Sequence, residues 1–477
     1  MRFKCNERQQ SHQNVSQIKP ASYDPLMSAS SPTEANNCLG KSVSQQSDGI
    51  TLGIHLGATG IRCGWFDGKK FRYVEDRRRS NSSVWTNLIF IDDTQYIAGY
   101  FTKYSDENHV CNLTLFKEDP WRGYQEIHKG KNISMTIVTA FALLFQDLMK
   151  KAVSQFQKEV QGCVIAVNTS ASPAYRKGVK LAVELAGIRN IRIINETTAA
   201  ALHWFQRTSY RDKFDSGADR SRVLAVRCDN DDQICEATGF NYTKTTESML
   251  IKMNYFNILS KDSGSLGKKF MNTVTNALSL GTYGSPIPRN NTILEEIKNG
   301  CEKAPEQTLS IGTQAKSTVD EHGVVPQKEM PVCGAMWLAN YLLSPKLIQI
   351  PEMLTCEINF KQAGCNIYSM TKKMHIHLPF TDVICIGSNN FSIPEIKLRI
   401  EGDNTQLIDE LRIPVENRDK NMWNALQLKV TIDENGILDT TGKFKRGNEE
   451  REAVIHRTFF PSMDEYKDMF THITNKP

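Results

Sequence analysis

The 477-residue chain has no unbroken apolar run of the roughly 18 residues that a membrane-spanning helix needs, and its first residues hold no apolar signal-peptide core. Its twelve cysteines include no CxxC pair and no Cys/His cluster at zinc spacing, so neither a redox motif nor a zinc site is written into them. Cys163 in GCVIAV and Cys385 in DVICIG lie inside apolar runs, which leads to the expectation of reduced, buried thiols and a cytoplasmic location. An excess of one charge is also missing, because the net charge is only +5. The one tight basic run, Arg77-Arg78-Arg79, sits in a polar stretch and reads as a solvated loop. No membrane and no direct DNA partner is expected, and RNA contact has no support.

A chain of this length with 40% hydrophobic residues can bury two or three cores. Residues 1–48 are rich in Ser, Gln and Asn and read as a disordered tail, because they cannot bury enough apolar surface to offset ordering. From residue 50 to about 345, strand-like and helical runs alternate, which is the pattern of an α/β domain. After residue 350 short strands separated by polar turns predict an all-β domain, with the Asn435-Gly436 pair as a strong hairpin signal.

Two stretches carry chemistry. TLGIHLGATGIRCGWFDGKKF, residues 51–71, predicts a β-hairpin whose corner, Leu56 to Gly60, can bring backbone N–H groups close to a phosphate. His55 stands just before that corner, where a metal-binding carboxylate would be useful. VIAVNTSASPAYRKGVKLAVELAGIRNIRIINETTAAALHWF, residues 164–205, predicts strand, helix, strand and helix, with Asn195-Glu196 at a strand-to-helix junction of the kind where α/β sheets bind ligands. From this stretch alone the plainer reading is the favoured one: Asn195 caps the helix and Glu196 favours its positive N-terminus.

The second stretch resembles the nucleotide-binding domain of Hsp70 chaperones, which ends in IINEPTAAA, and IHLGAT resembles that family's first phosphate loop, usually IDLGTT. The resemblance continues in order along the chain. SGSLGKKFMNTVTNAL (263–278) is similar to GDTHLGGEDFDN, and EEIKNGCEKAPEQTLSIGTQA (295–315) to the RTACERAKRTLSSSTQA helix. EMPVCGAMWLANYLL (329–343) is similar to DEAVAYGAAVQAAIL, and residues 428–455 to VTFDIDANGILNV with its following strand. The likeness implies an actin-like, duplicated α/β ATPase fold over 49–345 with a shortened second lobe, then a linker over 346–352. It further implies an all-β, peptide-binding sandwich over 353–457, and residues 458–477 are left as a short tail with no helical lid. ATP and magnesium are implied as cofactors by the family alone.

Departures from the family motifs bear on the activity. His55 replaces the aspartate that orders the magnesium's water shell, Ala58 replaces a threonine, and imidazole suits a hard, oxygen-seeking cation poorly. The second phosphate loop, DLGGGT in the family, falls on RCDNDD, with Arg227 for the aspartate and Asp229, Asn230 and Asp231 for glycines. At about 6 Å and an effective dielectric near 20, each such carboxylate adds roughly 3 kcal/mol of repulsion against a phosphate charge. That is about a hundredfold in affinity. In the adenosine helix, ERAKR becomes Glu302-Lys303-Ala304-Pro305-Glu306, losing the stacking cations and gaining a helix-breaking proline. The GGSTRIP segment is missing between Val325 and Glu329, and the family's catalytic lysine falls near Thr114, with Lys117 as a displaced candidate. Gly57, Thr59 and Glu196 survive from the set and are read as vestigial, so no metal site and no confident catalytic residue is expected.

The coupling elements change too. The family's relay proline is Asn168, its relay arginine is retained as Arg176, and the linker Lys346-Leu347-Ile348-Gln349-Ile350 lacks the flanking acids, so loose coupling is expected. In SNNFSIPEIKLRIEG (388–402), ungapped alignment puts Glu395, Lys397 and Arg399 on the peptide-pocket face, whereas a bulge at Pro394 would put Ile396 and Leu398 there; those two are otherwise core. A histidine in this slot and a missing lid are also similar to the ribosome-associated branch that pairs with a J-domain partner. Three functions follow: a nucleotide-independent chaperone or co-chaperone binding unfolded or nascent polypeptide or a J-domain protein, an ATP-driven Hsp70, or a scaffold or relic without chaperone activity.

Overall fold

A computed structural model describes residues 49–57, 60–75, 87–90, 96–99, 123–128, 131–207, 221–229, 234–244, 249–260, 308–312, 318–320, 323–325, 330–342, 348–370, 376–387, 394–403, 406–416, 422–457 and 463–474. The tail expected over 1–48 lies outside them.

The chain starts with β1 (Ile50–Gly57), β2 (Gly60–Phe66) and β3 (Phe71–Tyr73). Two hairpins follow, β4 (Asn87–Phe90) with β5 (Tyr96–Gly99), and β6 (Gly123–His128) with β7 (Lys131–Thr136). Then α1 (Ile137–Phe156), β8 (Val160–Val167), α2 (Pro173–Leu185), β9 (Asn190–Asn195) and α3 (Glu196–Arg207) alternate. Local chemistry sets these boundaries. Thr136 accepts the Thr139 N–H at 3.1 Å to open α1. Ser172 accepts the Tyr175 N–H at 3.2 Å to open α2, with Pro173 in its first turn, where no N–H is needed.

The second lobe contributes β10 (Ser221–Asp229), β11 (Ile234–Lys244), β12 (Met249–Ser260), β13 (Thr308–Gly312), the small hairpin β14 (Thr318–Asp320) with β15 (Gly323–Val325), and α4 (Met330–Ala339). Thr308–Gly312 is thus a strand inside the run matched to the adenosine helix. Sheet order is β3-β2-β1-β8-β9 in the first lobe and β13-β10-β11-β12-β16 in the second, where β16 is Ile348–Gln349. Both sheets repeat one pattern: a three-stranded antiparallel meander whose first strand also pairs, in parallel, with a later strand. All ten residues of α4 are buried, and it packs on α3 backbone to backbone. A Cβ on Gly334 would stand 1.7 Å from the Ala199 carbonyl oxygen, which is why small residues fill both helices at this crossing.

The last part forms two antiparallel sheets around one core. One runs β18 (Cys365–Met370), β17 (Ile358–Gln362), β20 (Glu395–Glu401), β21 (Leu407–Pro414) and β25 (His456–Arg457). The other runs β19 (Phe380–Gly387), β22 (Ala425–Ile432), β23 (Leu438–Arg446) and β24 (Glu449–Ala453). Alternation on β19 turns Ile384 and Ile386 inward and leaves Cys385 exposed, which corrects the expectation of a buried thiol there, whereas Cys163 is buried. Within the stretch expected as a tail, α5 (Met463–Thr474) is a helix that buries Tyr466 and Phe470 in the core shared with α1 and α2.

Candidate functional site

The antiparallel pairing of β1 with β2 ends at the Gly57↔Gly60 pair, so the corner lies where the sequence places the first phosphate loop. Ala58 and Thr59 themselves are outside the described residues. In the same register His55 stands opposite Arg62, and cross-strand partners share a face, so both side chains lie on one side of the hairpin. Both are buried. The parallel strands β8 and β9 then bring Glu196, first residue of α3, to this point, and His55 Nε2 lies 3.1 Å from Glu196 Oε1 with both side chains under a tenth exposed. A Cβ built on Gly57 would meet His55 Cε1 at 2.9 Å and Arg62 Nη1 at 3.5 Å. Imidazole and guanidinium therefore both lie close to the Gly57 backbone.

Arg62 was missed by the sequence reading. Its signal was present: a lone arginine among apolar residues in GIRCGWF, at the position that a two-residue corner sets opposite His55. Arg227 and Asp229 lie in β10 with no side-chain placement described, while Asp231, Glu302, Glu306 and Lys117 fall outside the described residues.

A second cluster joins the first lobe to the β part. Asn168, at the family's proline position, makes a local turn by accepting Ser170 N–H at 3.0 Å and Ser170 Oγ at 2.8 Å, which leads into the cap of α2. From α2, Arg176 donates through Nη2 to Asn195 Oδ1, through Nη1 to the Asn435 carbonyl at 3.3 Å and through Nε to the Ala171 carbonyl at 3.2 Å. The Asn195 N–H donates to Glu352 Oε1 at 2.7 Å, and Thr355 Oγ1 donates to the Thr169 carbonyl at 2.6 Å. Burial pushes the Glu352 carboxyl above its usual range, against the pull of Arg176 and the Asn195 N–H. Next to Arg176 in the chain, Lys177 sits near Arg457, Asp409 and Asp439; burial, then Arg457, bring its ammonium down to about 8 against the pull of the two aspartates. The linker residues Ile348 and Gln349 pair in parallel with Met249 and Leu250, and Ile348 and Ile350 are buried. The junction is packed and hydrogen-bonded, with partners drawn from residues far apart in sequence.

In β20, Ile396 and Leu398 are 0% exposed inside the core of the two sheets. Glu395, Lys397 and Arg399 take the other face. Among the described residues no group of His, Cys, Asp and Glu is placed to hold a metal, and no helix is long and apolar enough to cross a membrane.

The Hsp70 protein family model matches residues 100–208. Heat shock protein 88 of Dictyostelium discoideum is 26% identical over 257 residues, covering 53% of this chain and 32% of that protein. Heat shock protein 110 of Caenorhabditis elegans is 35% identical over 82 residues, covering 17% of this chain and 11% of that protein. Heat shock protein hsp88 of Neurospora crassa is 26% identical over 98 residues, covering 20% and 14%. The chain therefore spans about a third or less of the length of these relatives. The matched segment carries the strand-helix-strand that delivers Glu196 to the His55 corner, and over it the chain is similar to the Hsp70 family.

Proposed function

We propose that this chain is an Hsp70-type chaperone or co-chaperone that engages unfolded or nascent polypeptide, or a J-domain partner, with its nucleotide site out of use. The observation that carries the reading is the His55–Glu196 pair with Arg62 beside it over Gly57. A family ATPase would need that space for phosphate and, for the metal's water shell, an aspartate where His55 stands. Here the Glu196 carboxylate faces an imidazole, which is a poor partner for magnesium. An imidazole at this position does not fit a magnesium-bound ATP. In this reading the lobes form the actin-like pair, the two antiparallel sheets form the peptide-binding-type sandwich, and the protein is cytoplasmic. The ribosome-associated branch supplies the best analogy for a J-domain or ribosome partner, on the strength of His55.

An ATP-driven Hsp70 is the second reading, favoured by the Gly57↔Gly60 pairing and the seated linker strand. The two separate in one assay: suppression of aggregation of an unfolded client, with and without MgATP. The proposal expects activity that ATP does not change, and ATP-dependent release of client would overturn it. A chain with no client and no stable co-purifying partner would be the scaffold or relic.

A further inference from the structure

The exposed face of the five-stranded sheet is charged, and the alternation of β20 makes it so. Ile396, Leu398 and Ile400 point into the core, and Lys397 and Arg399 point out, with side chains 61% and 56% exposed. Register places Lys397 opposite Arg412 of β21, and Arg399 between Lys361 of β17 and Glu410 of β21. Four cations from three adjacent strands thus share one face with Glu395, Glu401 and Glu410.

The carboxylates are engaged. Glu401, nearly buried, lies 2.6 Å from Lys361 Nζ and 2.9 Å from Arg399 Nε, so one carboxylate serves two cations. Glu410 lies 3.2 Å from Arg412 Nη2. Lys397 is the least committed cation, with Glu395 at 3.6 Å. A cleft of about 290 Å³ opens among Lys361, Gly364, Lys397, Arg399, Glu401 and Glu410.

We propose that this cleft binds an extended polypeptide segment carrying carboxylates at alternate positions. The proposal rests on the polypeptide-binding reading above and names the class of segment. Lys397 and Arg399 are two residues apart on one strand face, about 6.6 Å, which is the spacing of same-side groups in any extended chain. Acidic side chains at positions i and i+2 of the ligand meet both cations at once, and charge-assisted hydrogen bonds to them are the stronger kind. An apolar segment gains little from this face, because the aliphatic side chains of β20 point inward.

The test is fluorescence anisotropy with the full chain and three labelled peptides: alternating Glu/Ser, alternating Lys/Ser and a Leu-rich heptapeptide. The expected result is saturable binding of the Glu/Ser peptide alone, weakened by raised salt and lost by roughly tenfold or more in Lys397→Glu/Arg399→Glu. Both positions are exposed, and a melting curve of the variant checks the fold. Equal binding of the Lys/Ser peptide, or preferred binding of the Leu-rich one, overturns the proposal. So does a failure of the Glu/Ser peptide to bind while the chain still suppresses client aggregation, an outcome that leaves the polypeptide reading standing. Loss of both activities overturns both.

Discussion

Asn435, at the tip of the β22–β23 hairpin, accepts the backbone N–H of Ile193 through its side chain at 2.8 Å, and accepts Arg176 through its own carbonyl at 3.3 Å. Ile193 belongs to β9, the edge strand of the first-lobe sheet, so a residue of the β part closes that edge's hydrogen bonding. The hairpin is preset for it. Asp433 Oδ1 accepts the N–H groups of Asn435 and Ile437 at 2.9 Å each, and Gly436 takes φ +75°. Domain docking in this chain is therefore carried by buried protein groups.

Asn435→Ala leaves the buried Ile193 N–H without its acceptor and should cost about 1–3 kcal/mol. Gly436→Ala should cost a comparable amount for a different reason, since its Cβ would sit at positive φ and 2.9 Å from Arg176 Cδ. Urea unfolding of both variants checks this, and faster proteolytic cleavage of both is the accompanying expectation. Unchanged midpoints would mean the hairpin contact carries no stability.

Glu352 and Arg176 should respond differently to substitution. Arg176→Met removes three donors from a buried cluster and is expected to cost about 2–4 kcal/mol. Glu352→Gln keeps an oxygen for the Asn195 N–H and removes a charge whose burial is unfavourable, so it should cost about 1 kcal/mol or less at neutral pH. Because the folded-state carboxyl titrates above its usual value, its contribution is full at acid pH and lost as pH rises through the folded pKa. The gap between Glu352→Gln and the parent should therefore shift in the parent's favour as pH falls, which melting curves in a pH series measure.

Lys177 gives the opposite slope at the alkaline end. Its ammonium is brought down to about 8, below the usual ~10.4 of a lysine, so between these values the unfolded chain holds more protons. Stability should rise with pH across that window, by at most about 3 kcal/mol in total. The melting temperatures of parent and Lys177→Met, measured at pH 7.5 and 9.5, should converge toward the alkaline side, with the slope absent from the variant. A parallel pair of curves would place the lysine in ordinary solvent.

Tyr466 tests the C-terminal helix. It is fully buried against α1 and α2, so Tyr466→Ala should cost about 3–5 kcal/mol, as for other large aromatic side chains truncated in a core. A midpoint unchanged by this substitution would show that residues 463–474 are not docked on the lobe.

The sequence was most readable where period and corner chemistry act locally. Alternating residues around Gly57 and Gly60 point to the hairpin, and the apolar run Val164 to Val167, the Ser172-Pro173 pair and the small residues after Glu196 outline strand, helix, strand and helix. The site was readable only in part. His55 and Glu196 could be flagged by position, but Arg62 needed the register, and the partner of Arg176 lies 259 residues away. The helix at 463–474 was obscured because its polar majority looks like a tail, while Tyr466 and Phe470, one turn apart, supply its buried face. Cys385 was misread for a related reason: a strand with one solvent face carries outward residues inside an apolar run.

Isothermal titration of ATP and of ADP, each with and without magnesium, tests the central claim most directly. With His55 facing Glu196 and Arg62 close to Gly57, ATP should bind no tighter than about 1 mM, roughly 4 kcal/mol, and magnesium should make no difference. Micromolar, magnesium-dependent binding would contradict it.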